Sequence, residues 1–149
     1  MTPLHPGPTP DTEARYEALA AAPAPELVTL ADRILAPLED TQVEVLAGPE
    51  VGSGPVRLPV PGTASATVVV GHVALTTATV ALCGIRGDGV RPGRDPGGAV
   101  AAAVCDAEAE RDGPLAQAVE ALAATSIRSA RHTKRRLGAV VESTRVGGQ

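Results

Sequence analysis

Gly93-Arg94-Asp95-Pro96 stands where a β-branched stretch gives way to an alanine-rich one. A helix starting there would offer free N–H groups to an anion, and Arg94 could hold a phosphate oxygen pair. On that reading Arg94 and Asp95 are the anion-binding candidates. The same four residues also fit an ordinary helix start, with Asp95 as N-cap, Pro96 at the first helical position and Arg94 in solvent. The phosphate-cradling P-loop pattern is absent. A second cluster is basic: Arg128, Arg131, His132, Lys134, Arg135 and Arg136. Spacings of three and four place Arg128, Arg131 and Arg135 near one helix face. Together with Arg145 they are candidates for contact with an acidic partner subunit, the other reading being a solvated face. Nucleic acid fits less well, since stacking aromatics, a recognisable motif and a basic overall charge are all missing. His72 has no assignable orienting partner, and no pair of histidines has ligand spacing, so no metal site is expected. Ser65, Ser126, Ser129 and Ser143 lack a nucleophile elbow. Asp106, in the alanine-rich stretch, is either buried and paired or turned to solvent. Cys83 and Cys105 have no metal spacing and read as reduced thiols, a disulfide requiring strand and helix to bring them together. No catalytic residue emerges.

The elements that position these groups must be built from little. The chain has 149 residues and one aromatic, Tyr16, so valine, leucine and alanine make the core. So thin a core favours a permanent partner that supplies further burial. Net charge is −4, unevenly spread: residues 1–127 hold 7 basic and 16 acidic side chains, residues 128–149 hold 6 and 1. No run approaches the roughly 20 apolar residues of a membrane span. There is no secretory pattern, and a cytoplasmic location is expected. Residues 1–10, rich in proline, read as a disordered tail, and 11–149 as one domain.

Asp11 is the expected N-cap of a helix running through Tyr16 and Leu19 to Ala22. Pro25 opens a second, whose Leu27, Leu30, Ala31, Ile34, Leu35 and Leu38 form one apolar face. Thr41–Ala47 alternates as a strand, closed by a turn over Gly48–Gly52, and Pro55–Val60 forms a second strand. Val68–Val70 and the run from Val73 to Leu82 continue the sheet, and Cys83-Gly84 breaks it. Gly87-Asp88-Gly89-Val90 reads as a glycine-rich return. A helix follows at about 96–110, carrying Ala99, Ala102, Ala103, Asp106 and Ala107 at helical spacing. Beyond the Asp112-Gly113-Pro114 break, Leu115, Val119, Leu122 and Ala123 mark another helix, and Ser126 to about Arg145 a last one. The fold class is α+β: N-terminal helices, an antiparallel sheet of about four strands, and C-terminal helices.

Ordered along the chain, these residues resemble a known family. The Ala24-Pro25-Glu26-Leu27 turn comes first, then a strand entering Ala47-Gly48-Pro49-Glu50-Val51-Gly52. Next come Gly71, Leu75-Thr76, Val80, Gly84, Gly93-Arg94-Asp95, Ala99, Ala103 and Asp106-Ala107. Ser143-Thr144-Arg145-Val146 closes the series. Over about residues 14–146 the chain resembles the G subunit of the bacterial carbon–phosphorus lyase core complex, the PhnG family of phosphonate metabolism. It departs in having His72 where glutamate is common, in lacking aromatics after Gly89, and in ending on Gly147-Gly148 where the family has a Phe-Phe-x-Met tail. The resemblance implies an obligate hetero-oligomer with I-, H-, J- and L-type subunits and no membrane or nucleic-acid partner. It implies transfer of an alkylphosphonate to the ribose of ATP with release of adenine. The complex uses ATP, and no cofactor is expected on this chain. A stand-alone anion-binding enzyme built on Arg94 is the alternative.

Overall fold

In the computed structural model, residues 10–60, 62 and 66–128 are described. The expected tail over 1–10 therefore lies outside them apart from Pro10. His5, His132, Arg131, Arg135, Arg145 and the helix expected toward Arg145 also lie outside, save its first residues. The order is α1 (Pro10–Ala21), α2 (Ala24–Leu35), a 3₁₀ turn (Asp40–Gln42), β1 (Val43–Pro59), β2 (Thr67–Leu82), β3 (Ile85–Pro92) and α3 (Pro96–Glu110). A further helix, α4, covers residues 116–128.

Among the described residues the sheet has three strands, antiparallel and in the order β1-β2-β3. About four were expected; the structure joins Val68–Val70 to Val73–Leu82 in β2, adds β3 where a return was expected, and runs β1 unbroken through the Gly48–Gly52 segment. That segment is not a turn but a disturbance within one long strand: pairing with β2 shifts between Val45 and Ala47 and again between Ala47 and Glu50. Gly48, at φ 73°, makes this possible, because a Cβ there would sit 2.5 Å from the carbonyl oxygen of Thr77. The Gly48-Pro49 peptide is cis. The strand then resumes and stays paired as far as Pro59 opposite Thr67.

The glycine-rich return over residues 87–90 is likewise corrected. The reversal takes place at Cys83 and Gly84, whose φ angles of 52° and 82° suit a two-residue hairpin turn. Gly87 and Gly89 are buried inside β3. They are glycine because α3 lies directly on the strand. A Cβ on Gly87 would come within 2.2 Å of the Ala103 carbonyl oxygen, and one on Gly89 within 2.3 Å of that of Ala99. The alanines of α3 are the other half of this close fit: Ala99, Ala102, Ala103 and Ala107 are all buried.

Helix α2 follows its expected pattern as far as Leu35, and Leu38 lies beyond its end. Pro23 is its N-cap, proline stands in its first turn, and Leu27, Leu30, Ala31 and Ile34 are buried. Helix α1 starts at Pro10, so Asp11 falls inside the helix and not at its cap. Helix α4 runs through Ser126 without the division expected there. The core joins Leu19, Leu27 and Ile34 to Ala78, Val80 and Leu82 of β2, the α3 alanines and Val119 of α4. Along β2 the residues Thr76, Ala78, Val80 and Leu82 are buried, whereas Thr67–Val70 and His72–Ala74 are exposed. Among the described residues, no helix is long and apolar enough to cross a membrane.

Candidate functional site

Four buried charges, Arg15, Asp106, Arg91 and Glu108, organise the described part of the molecule. Helical spacing puts Arg15 on the same stripe as Ala18, Leu19 and Ala22, so the stripe that packs into the core carries a guanidinium inward. Arg15 is 8% exposed and Asp106, facing it from α3, is 4% exposed. Nε of Arg15 donates to Oδ1 of Asp106 at 2.8 Å. The other Asp106 oxygen accepts the backbone N–H of Asp88 at 2.9 Å. Arg15 also reaches Glu110 through a short contact and Glu120 of α4 at 3.4 Å. Three helices thus meet at one cation, and β3 joins them through Asp106. Burial raises the Asp106 pKa above the usual carboxylate range, with the Asp88 N–H and Arg15 pulling it back. Burial also works against the Arg15 charge, but Asp106 and Glu110 outweigh it and its pKa lies above the ordinary value.

Arg91 does comparable work at the far end of α1. Its Nη1 donates to the carbonyl oxygens of Leu19 at 3.1 Å and Ala20 at 3.0 Å, and to that of Ala22. These include carbonyls that a helix C-terminus leaves without partners. Its Nε binds Asp95 at 3.1 Å. Asp95 is the N-cap of α3, accepting the Gly98 N–H at 2.9 Å, and its own N–H donates to Thr76 Oγ1 at 3.0 Å. Thr76 in turn donates to the Gly93 carbonyl at 2.7 Å. The fourth charge, Glu108, is 1% exposed and binds Arg111 at 2.6 Å and the Leu115 N–H at 3.1 Å. It fixes the α3–α4 corner. Among the described residues, no buried side-chain nitrogen or oxygen lacks a hydrogen-bond partner.

A cleft of about 580 Å³ opens beside this network, lined by Glu13, Tyr16, Glu17, Thr77, Thr79 and Asp88 among others. Its charged walls are acidic. Thr79 donates to Asp88 at 2.7 Å, and Arg86 pairs with Asp88 at 3.1 Å. Burial, with Asp88 and Asp106 nearby, raises the Tyr16 pKa. A phosphonate or a triphosphate would meet like charge here.

Of the residues singled out from sequence, Asp95 serves the helix cap and holds Arg91, while Arg94 is exposed. Asp106 takes the buried, paired alternative. Arg128 is exposed at the end of α4, and His72 is exposed on β2. Cys83 is exposed and Cys105 buried, both as free thiols. Burial, together with Glu108 and Asp106, pushes the Cys105 thiol from 9.0 up to about 12. Among the described residues, no group of three or more His, Cys, Asp and Glu side chains is placed to hold a metal ion. Sequence reading passed over Arg15, Arg91 and Glu108. Arg15 was visible in the helical stripe, and Arg91 shares the inward parity of Gly87 and Gly89 once that segment is read as strand.

The family model described as phosphonate metabolism protein PhnG matches residues 12–147, most of the chain. The chain belongs to the PhnG family. No curated protein matches it. Several of the residues on which the resemblance rests have structural reasons here. Gly84 turns the β2–β3 hairpin, Gly93 carries φ 76° ahead of α3, Asp95 caps that helix and Ala99 and Ala103 pack on β3.

Proposed function

We propose that this PhnG-family chain is an accessory subunit of a carbon–phosphorus lyase complex in phosphonate catabolism. In this reading it supports transfer of an alkylphosphonate to the ribose of ATP, with release of adenine, and contributes no catalytic residue of its own. ATP and the phosphonate bind elsewhere in the complex, with I-, H-, J- and L-type subunits as its companions in the cytoplasm. The observation that carries the reading is the family match over residues 12–147. Two features of the chain support it. The buried charges are engaged in holding helices and strands together. The cleft beside them has acidic walls, the wrong sign for a phosphonate or ATP. The stand-alone anion enzyme has less behind it, because Asp95 is already engaged by Gly98 and Arg91.

Co-purification tests the reading. Tagged protein from phosphonate-grown cells is expected to bring down an I-type subunit, and the ribose transfer is expected only with that subunit present. Recovery of the tagged chain without it would sink the assignment. Turnover of a phosphonate by the isolated chain, abolished in Arg94→Ala, would favour the stand-alone enzyme.

A further inference from the structure

We propose that the two-stranded ribbon formed by residues 53–59 and 67–74 is an insertion arm, enclosed on both faces by another Phn subunit that adds a strand to the open edge of β2. The inference rests on the proposed function and adds the surface and the mode of assembly.

Strand β3 pairs with β2 only from Leu75 to Leu82, whereas β1 stays paired with β2 out to Thr67. Residues 67–74 therefore extend past the three-stranded part with one edge of β2 open, apart from the Ala74 carbonyl, which accepts the Gly93 N–H at 2.7 Å. Two-stranded ribbons are marginal in water on their own. This one is also apolar on both faces. Successive strand residues point to opposite sides, and Val68, Val69 and Val70 are 49%, 42% and 57% exposed. Val73 adds to the same surface.

The two edges differ. Proline at positions 49, 55 and 59 interrupts the donors along β1, the usual way of blunting an outer edge. The open stretch of β2, Thr67-Val68-Val69-Val70-Gly71-His72-Val73-Ala74, has no proline and no lysine, arginine or carboxylate. Alternate residues along it turn backbone N–H and C=O groups to the open edge, and none of those donors is lost to proline. Charge points the same way: the chain has no Asp or Glu between Glu50 and Asp88. The ribbon carries no carboxylate, and its one charged residue, Arg57 opposite Val69, is the group a partner must pair.

Area decides between a second copy and a different subunit. Eight residues give about 26 Å of edge, and one added strand covers about 4.8 Å of width, on the order of 100 Å² per face. A stable interface needs about 800 Å² per partner. Edge-to-edge pairing of two copies falls far short and leaves both valine faces wet. Enclosure of both faces and the open edge brings the buried area to several hundred Å² and removes the exposed valines from water.

The test co-expresses the tagged chain with H- and I-type subunits. Val68→Lys with Val69→Lys places a charge on each face at positions already exposed. The double variant is expected to recover at least 10-fold less partner than wild type, with unchanged circular dichroism and Tm, while Val28→Lys on α2 recovers wild-type amounts. Amides of 67–74 are expected to exchange at least 10-fold more slowly in the wild-type complex than in the isolated chain. Wild-type recovery by the double variant, or equal exchange in both states, overturns the arm and leaves the subunit role standing. A ribbon-dependent dimer of the isolated chain in analytical ultracentrifugation also overturns it. A wild-type chain that recovers no Phn subunit overturns the functional reading and the arm with it.

Discussion

Arg15 gathers Asp106, Glu110 and Glu120 around one guanidinium, and its removal tests how much of the fold depends on that point. Arg15→Met leaves Asp106 buried with only a backbone N–H for company. Stranding a buried charge costs about 3–5 kcal/mol, and urea unfolding should show a loss of that size. Asp106→Asn keeps an acceptor for the Asp88 N–H and should cost less. The two thiols offer a second measurement. Exposed Cys83 should react with a disulfide reagent in the native state at pH 8, and buried Cys105 only after unfolding. Cys105 also sets a pH dependence. Its folded pKa lies above the unfolded one, so the folded protein holds the proton longer. That contribution is complete below 9.0 and is lost as pH rises toward about 12. The urea midpoint of wild type should fall across that window, and that of Cys105→Ala should fall less.

At the scale of elements, the contact between β3 and α3 is the most constrained. Gly87→Ala would drive a methyl into the backbone of Ala103 and Ala107, neither of which can turn aside as a side chain would. Overpacking usually costs about 1–3 kcal/mol, and contact with helix backbone on two sides places this change at or beyond the upper end. Thermal denaturation of Gly87→Ala and Gly89→Ala against Gly97→Ala, where a Cβ meets nothing, measures the difference. These glycines also show where sequence reading stopped. Helix α2 was legible because six apolar residues share one face, and α3 because Asp95-Pro96 announces its start. Glycine in a run such as Gly87-Asp88-Gly89 announces a turn and a close approach equally well, and only the partner's position separates the two. The same ambiguity divided β1, since Gly48-Pro49 is a turn signal that long-range pairing with Thr77 overrides. The buried ion network was less legible still. Helical phase placed Arg15 on the inward stripe, but nothing local said that Asp106 would face it from 91 residues away.

At the scale of the whole molecule, the described residues combine a small-residue core with a valine-rich surface on the extended part of the sheet. The core draws on leucine, valine and alanine across three layers: strands, α3, and the helices around it. Each alanine buries little apolar area, so its stabilisation comes from close approach of backbones. Such a body gains from any ligand that binds only the folded state. The Tm of the chain should therefore rise when H- and I-type subunits are added, and rise further with their concentration. A Tm indifferent to them would argue that the chain is complete by itself.

Tyr16 is the one tyrosine in a chain without tryptophan or phenylalanine, and it stands in the wall of the acidic cleft, between α1 and the strands. Every photon of intrinsic emission from the isolated protein therefore originates at one address. An event that reaches that wall will change the signal, and an event at the far end of the ribbon will leave it dark. Unmixed optical readout of a single locality comes with this sequence, with no label attached.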